Sequence, residues 1–207
     1  MTLPMSCMVP DDASASRITS LLEELRMLYE TMDGAYGNIA GRYGFVCRGC
    51  EDNCCRTRFH HHTAIEFHYL MNGLALLEEK ERRIAGENAG KYVQSHEDGQ
   101  APSPKPLCPL NAETRCILYE YRPMICRLHG IPHELKRPGS QPVFSPGCPD
   151  FDRQVRHPAY IPFDRTPLYL QLAELEKKYR AVLKFSGKIK LTVAEMILRG
   201  RESTAPD

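Results

Sequence analysis

Cys47-Arg-Gly-Cys50-Glu-Asp-Asn-Cys54-Cys55 places four thiols within nine residues. The stretch is too polar and too crowded with cysteine for a strand or an amphipathic helix. It reads as an irregular, turn-rich loop ordered by whatever its thiols bind. Working outward, a second group follows at Cys108, Cys116 and Cys126, then Cys148, and only Cys7 stands apart. A free structural cysteine needs no neighbour, so this clustering means a ligand array, a disulfide framework or a redox site. The first residues, Met1 to Asp12, have no basic start, no apolar run and no small-residue cleavage site. No stretch approaches the ~20 apolar residues of a membrane helix. The expectation is a cytoplasmic protein with no membrane partner, whose reducing surroundings favour metal binding over disulfides. Adjacent Cys54 and Cys55 agree with this. A bridge between neighbours strains the backbone, whereas two thiolates can serve two ligand positions.

Composition narrows the classes further. The chain has 207 residues, with 27 Lys plus Arg against 26 Asp plus Glu, so its net charge is +1. A dedicated nucleic-acid binder would carry a basic excess, so no nucleic-acid partner is expected. There is no tryptophan, and 16 prolines fall mainly in the middle and second half. Few strand-like runs occur. The fold class expected is mainly α: amphipathic helices around an irregular, cysteine-rich, metal-stapled core. Three segments follow from this: an N-terminal helical segment (1–44), a cysteine-cluster domain (45–150) and a C-terminal helical segment (151–207).

Apolar spacing supplies the helices. Ile18, Leu21, Leu22, Leu25, Leu28 and Met32 predict a helix from about Ser16 to Tyr36, ended by Gly34, Gly37, Gly41 and Gly44. Thr63-Ala-Ile-Glu66 has the form of a capping box and predicts a helix over 64–84, closed by Gly86. Residues 86–106, polar and rich in Gly, Ser and Pro, read as a mobile connection. Tyr119 to Leu128 reads as a short turn or helix that places Cys126, with Pro123 suited to a first helical turn. Gly130 to Pro162 reads as loop. Thr166-Pro167 opens a helix to about Phe185, and Thr192-Val-Ala-Glu195 is a second capping box opening a short last helix.

The chemistry lies with the thiols. Thiolates rather than thiols bind metal, and eight buried thiolates would carry eight negative charges. Two Zn²⁺ ions or two [4Fe–4S]²⁺ clusters would halve that charge. Arg48, Arg56, Arg58, Arg115, Arg122 and Arg127 lie within a few residues of a cysteine and could offset the rest. Both metals accept four cysteines, so ligand type alone does not choose between them. The long gaps in the second group suit a cluster or polynuclear site better than a zinc ribbon, which favours iron.

The motif Cys47-x2-Cys50-x3-Cys54-Cys55-Arg56, with Cys108 and then Cys116-Ile-Leu-Tyr119-Glu-Tyr-Arg122-Pro123-Met-Ile-Cys126-Arg127, resembles the YkgJ-type cysteine-cluster family. That family is described as a zinc- or iron-chelating domain and includes the flagellin lysine N-methylase. The likeness covers about residues 45–150. The first motif has one residue more before the cysteine pair than the family's familiar form, which leaves open whether Cys54 or Cys55 faces the metal. The resemblance implies that Cys47, Cys50, Cys54, Cys55, Cys108, Cys116, Cys126 and Cys148 are the metal-binding set. It also implies that Tyr119, Arg122 and Pro123 support them, with Arg122 and Arg127 as candidate donors to sulfur or backbone around the cofactor.

Three functions are compatible with these residues. The first is a protein holding an iron–sulfur cluster, redox-active or linked to protein methylation. The second is a zinc protein in which the metal replaces a missing core. The third is a module that handles metal through a protein partner or protein substrate. No G-x-G-x-x-G, P-loop, H-E-x-x-H or nucleophile elbow occurs, and the catalytic residues stay unknown. The run His60-His61-His62 reads as a solvated loop before a capped helix, and His129 reads as a spare ligand.

Overall fold

The computed structural model describes residues 12–48, 54–97, 105–137, 139–156 and 159–202. Cys7 and Cys50 therefore lie outside the described residues. Seven α-helices and two small hairpins make up the regular structure among the described residues, so the fold is mainly α as expected.

Helix α1, Asp12–Tyr43, buries Ile18, Leu21, Leu25, Leu28, Tyr29 and Met32 along one face. It is longer than the spacing predicts. Gly34, Gly37 and Gly41 do not end it, because propagation costs only about 1 kcal/mol at each glycine once a packed helix is running. The stop comes at Gly44, whose φ of 67° is left-handed. Gly44 N–H donates to the Gly41 carbonyl at 3.0 Å and Phe45 N–H to the Ala40 carbonyl at 2.9 Å. These are the two bonds of a Schellman closure, and buried Phe45 supplies its apolar contact.

The single helix expected over 64–84 is two. Helix α2, Ala64–Leu76, ends where Leu77 turns extended (ψ 151°), and α3 runs from Glu79 to Glu97. Most of the stretch read as a mobile connection is thus helical up to Glu97; residues 98–104 lie outside the described residues. The helix escapes a hydropathy reading because its buried face is built from small residues, Ala85 and Ala89, with Tyr92. Alanine carries little apolar signal yet is the strongest helix former. Small side chains also let α3 pack closely on α7, Val193–Glu202.

Helix α6, Thr166–Leu183, buries Leu168, Leu172, Leu175 and Tyr179 and lies against α1 and α2. Thr166 is not its cap: its hydroxyl accepts from Lys136 N–H at 2.7 Å instead. The Thr192–Glu195 box forms as expected, Thr192 N–H donating to Glu195 Oε2 (2.6 Å) and Glu195 N–H to Thr192 Oγ1 (3.3 Å).

Between these helices lie the short elements that carry cysteine. A 3₁₀ turn covers Cys54–Arg56. Strands β1 (Asn111–Ala112) and β2 (Arg115–Cys116) pair antiparallel around Glu113 and Thr114, both left-handed. A 3₁₀ turn at Tyr119–Tyr121 leads through Pro123, the N-cap, into α4, Met124–Leu128, which packs on α1. Strands β3 (His133–Leu135) and β4 (Val143–Ser145) form a hairpin, and α5, Pro149–Gln154, follows with Cys148 as N-cap. The span read as loop after Gly130 therefore contains a hairpin and a helix. One apolar core, from Ile18 to Ile197, joins residues of all three predicted segments. No helix among the described residues is long and apolar enough to cross a membrane.

Candidate metal centre

The short elements converge on a cavity of about 770 Å³. Cys47, Cys54, Cys55, Cys108, Cys116, Cys126 and Cys148 all line it, although they are drawn from segments a hundred residues apart. None of the seven is in a disulfide. Several local devices deliver them. Cys47 follows the Schellman stop of α1. Cys54 and Cys55 sit on their 3₁₀ turn. Cys108 N–H donates to the Cys55 carbonyl at 2.8 Å, Cys116 ends β2, Cys126 is on α4 and Cys148 caps α5.

Backbone N–H groups converge on the sulfurs. Cys108 accepts from Leu110, Cys116 from Leu118, and Cys148 from Asp150 and from Phe151, the last at 3.4 Å. Such bonds stabilise the anionic form of sulfur. Burial acts against it. Burial pushes the Cys108 thiol well up, the Cys116 thiol up to about 11, and the Cys126 and Cys148 thiols up as well. The Cys54–Cys55 pair splits: Cys54 donates to Cys55, which falls to about 6 with help from the Asn111 amide and Arg122, while Cys54 rises. Apart from Cys55, the buried thiols keep their protons unless a cation replaces them.

Among the described residues no three His, Cys, Asp or Glu side chains meet at the spacing a single ion requires. A tetrahedral Zn²⁺ needs four sulfurs at about 2.3 Å, and the thiols instead spread around the cavity wall. Soft donors backed by N–H groups fit a thiophilic group.

The two arginines expected around the cofactor differ in role. Arg122 stays at the cavity beside Cys55, Cys116 and Cys126, stacked 3.4 Å over the Tyr119 ring, its Nε donating to the Tyr119 carbonyl at 2.9 Å. Arg127 is 4 % exposed and spends its donors on structure. It pairs with Asp33 (2.5 Å), donates to the carbonyls of Arg122 (2.7 Å) and Glu120, and lies over the Tyr29 ring. It rivets α4 to α1 and still lines the cavity. Arg48 and Arg115 line it too, and Arg56 turns away to the Lys105 carbonyl (2.5 Å).

Of the histidine run read as a solvated loop, His62 is exposed and His60 half-buried, but His61 is buried. His61 pairs backbone-to-backbone with Leu191 (2.7 and 3.0 Å), is 3 % exposed and lines the cavity, with Nε2 lacking a partner among the described residues. His62 Nδ1 donates to the Ile189 carbonyl at 3.1 Å. His129 lines the cavity against Phe59, its ring held neutral by burial and by Arg165. Two further cavity residues, Tyr36 and Tyr92, carried no sequence signal, since each is one aromatic among many. Their role comes only from long-range packing. No protein-family model, curated protein or solved structure matches the chain.

Proposed function

We propose that this protein holds an iron–sulfur cluster through its cysteines and works as a redox or cluster-dependent protein. The observation that supports this reading is the gathering of seven cysteines on one cavity wall, several with backbone N–H donors on sulfur. The likeness of residues 45–150 to the YkgJ-type family points to iron or zinc, and the long gaps between Cys108, Cys116, Cys126 and Cys148 favour a cluster over a zinc ribbon. Cys54, Cys55, Cys108, Cys116 and Cys126, with Cys47 and Cys148, are the residues that would hold it; Cys50 belongs to the same proposed set. Arg122 would offset the anionic charge and orient the turn that carries Tyr119. When bound, such a cluster supplies one-electron transfer at a potential set by charge, hydrogen bonds to sulfur and exposure. A protein partner or protein substrate would receive or use that chemistry.

Anaerobic purification, with metal and acid-labile sulfide measured beside the absorption spectrum, tests the proposal. Iron, sulfide and a broad visible band are expected. Stoichiometric zinc without sulfide would replace the reading by a zinc-chelating module acting through partners. Neither metal would end it.

A further inference from the structure

Helix α7 opens on the wall of the cavity that the thiols line, at Thr192, Val193 and Ala194. A helix start leaves four backbone N–H groups without partners inside the helix. The capping box takes two of them: Thr192 N–H donates to Glu195 Oε2 at 2.6 Å and Glu195 N–H to Thr192 Oγ1 at 3.3 Å. Val193 N–H and Ala194 N–H remain, and neither has an acceptor among the described residues. Neither residue is in open solvent, since Val193 is 9 % exposed and Ala194 1 %. Buried backbone N–H groups rarely go without a partner.

A second observation comes from a distant part of the chain. The backbone pairing of His61 with Leu191 holds His61 beside the residue that precedes the Thr192 cap. His61 lines the same cavity, is 3 % exposed, and its Nε2 has no hydrogen-bond partner among the described residues. Burial holds the ring neutral against a smaller pull from Glu66, and a neutral imidazole can donate from Nε2. Glu66 does not take that donor, because its oxygens already serve Tyr29, Met124 and Thr63. Three donors without acceptors thus gather at one end of the cavity.

The molecule holds its own example of what fills such a start. At α2 the equivalent N–H pair, on Ala64 and Ile65, donates to the two oxygens of Glu176 at 2.8 and 3.0 Å. Two successive amides at a helix start therefore match one carboxylate. At α7 Glu195 does not fill that place, since its carboxylate turns to Thr192. Its negative charge also disfavours a dianion such as phosphate beside it. Phe59, Tyr92 and Leu110 line the same cavity, whose volume of about 770 Å³ has room for a small molecule. We propose that the start of α7 and His61 seat the carboxylate of a small organic acid, with its apolar body lying in the cavity. Val193 N–H and Ala194 N–H donate to its oxygens, as Ala64 and Ile65 do to Glu176, and His61 Nε2–H adds a third bond. The seat uses no cysteine, so it goes beyond the metal-centre reading and does not depend on it.

Amide proton–nitrogen NMR spectra of the full chain, as purified, are recorded during titration with benzoate, benzamide and inorganic phosphate. Benzoate should shift the Val193 and Ala194 signals along a saturating curve, with benzamide and phosphate each binding about tenfold more weakly. Val193→Pro deletes one donor at a helix position that suits proline, and His61→Leu deletes another. Each should weaken benzoate binding about tenfold, read at Ala194, with circular dichroism confirming the helices. His61→Gln, which keeps a donor, should recover part of the loss. Unmoved Val193 and Ala194 signals would overturn the seat, and so would undiminished benzoate binding in a helical Val193→Pro variant. Benzamide or phosphate binding as tightly as benzoate would overturn the carboxylate class. Benzoate binding by protein free of metal would sustain the seat and overturn the metal-centre reading alone.

Discussion

Glu176 reaches from α6 to accept from Ala64 N–H at 2.8 Å and Ile65 N–H at 3.0 Å, the open N–H groups at the start of α2. Glu66, which a capping box would turn back on Thr63 N–H, is buried instead. It accepts from the Tyr29 hydroxyl (3.0 Å), Met124 N–H (2.7 Å) and the Thr63 hydroxyl (2.6 Å). One carboxylate thus fastens α1 to α4 while the other caps α2 from a distant helix. Losing Glu176 leaves two buried donors unsatisfied, so Glu176→Ala is expected to cost about 2–3 kcal/mol. Thr63→Ala removes one bond to an already satisfied carboxylate and should cost about 1 kcal/mol. Urea unfolding of both variants checks the order. A larger loss for Thr63→Ala would return the cap to the local residue.

At the scale of elements, three glycines sit inside α1 and a fourth ends it. A methyl at Gly34 or Gly41 would meet nothing within 4 Å. Either alanine variant should stabilise the protein by about 0.5–1 kcal/mol, through helix propensity and a less mobile unfolded chain. Gly44→Ala should do the reverse by about 1 kcal/mol, because its φ is left-handed. Thermal unfolding of the three separates propensity from closure; an equal gain at Gly44 would contradict the Schellman stop. Gly73 on α2 is different in kind, since a methyl there would sit 2.7 Å from Tyr121 Cβ. Tyr121 belongs to the turn between Cys116 and Cys126, so Gly73→Ala should cost about 1–3 kcal/mol by overpacking and should also lower metal content. Metal content unchanged despite lost stability would uncouple that turn from the centre. The helices with large apolar stripes, α1 and α6, were legible in the chain. Helix α3 was hidden behind alanines, and the break at Leu77 had no glycine or proline to mark it.

Across the whole molecule the thiols were legible as one set, because their density and spacing are local facts. Their convergence on one cavity was not, since it depends on contacts between residues far apart in the chain, such as Gln154 bonding the Val46 backbone and Cys108 N–H bonding the Cys55 carbonyl. Buried charge follows the same logic. Arg165 and His133 sit near the base of β3, and nothing in their neighbours along the chain announces that burial. The His133 pKa falls to about 4, through burial first and then the Arg165 guanidinium, with a smaller push from His129 and a partial offset by the Ile131 carbonyl. The unfolded value is about 6.5. Between those two values the unfolded chain holds a proton that the folded chain refuses, so folding stability rises with pH there. His133 contributes no penalty above about 6.5, and its penalty grows as pH falls toward 4. His68, held neutral by burial beside the Tyr179 hydroxyl, acts in the same direction. Urea midpoints should therefore fall as pH is lowered from 7.5 to 4.5, and His133→Gln should give a shallower fall, with the His68 share remaining. Parallel curves for wild type and variant would mean that His133 titrates alike in both states and that Arg165 does not act on it.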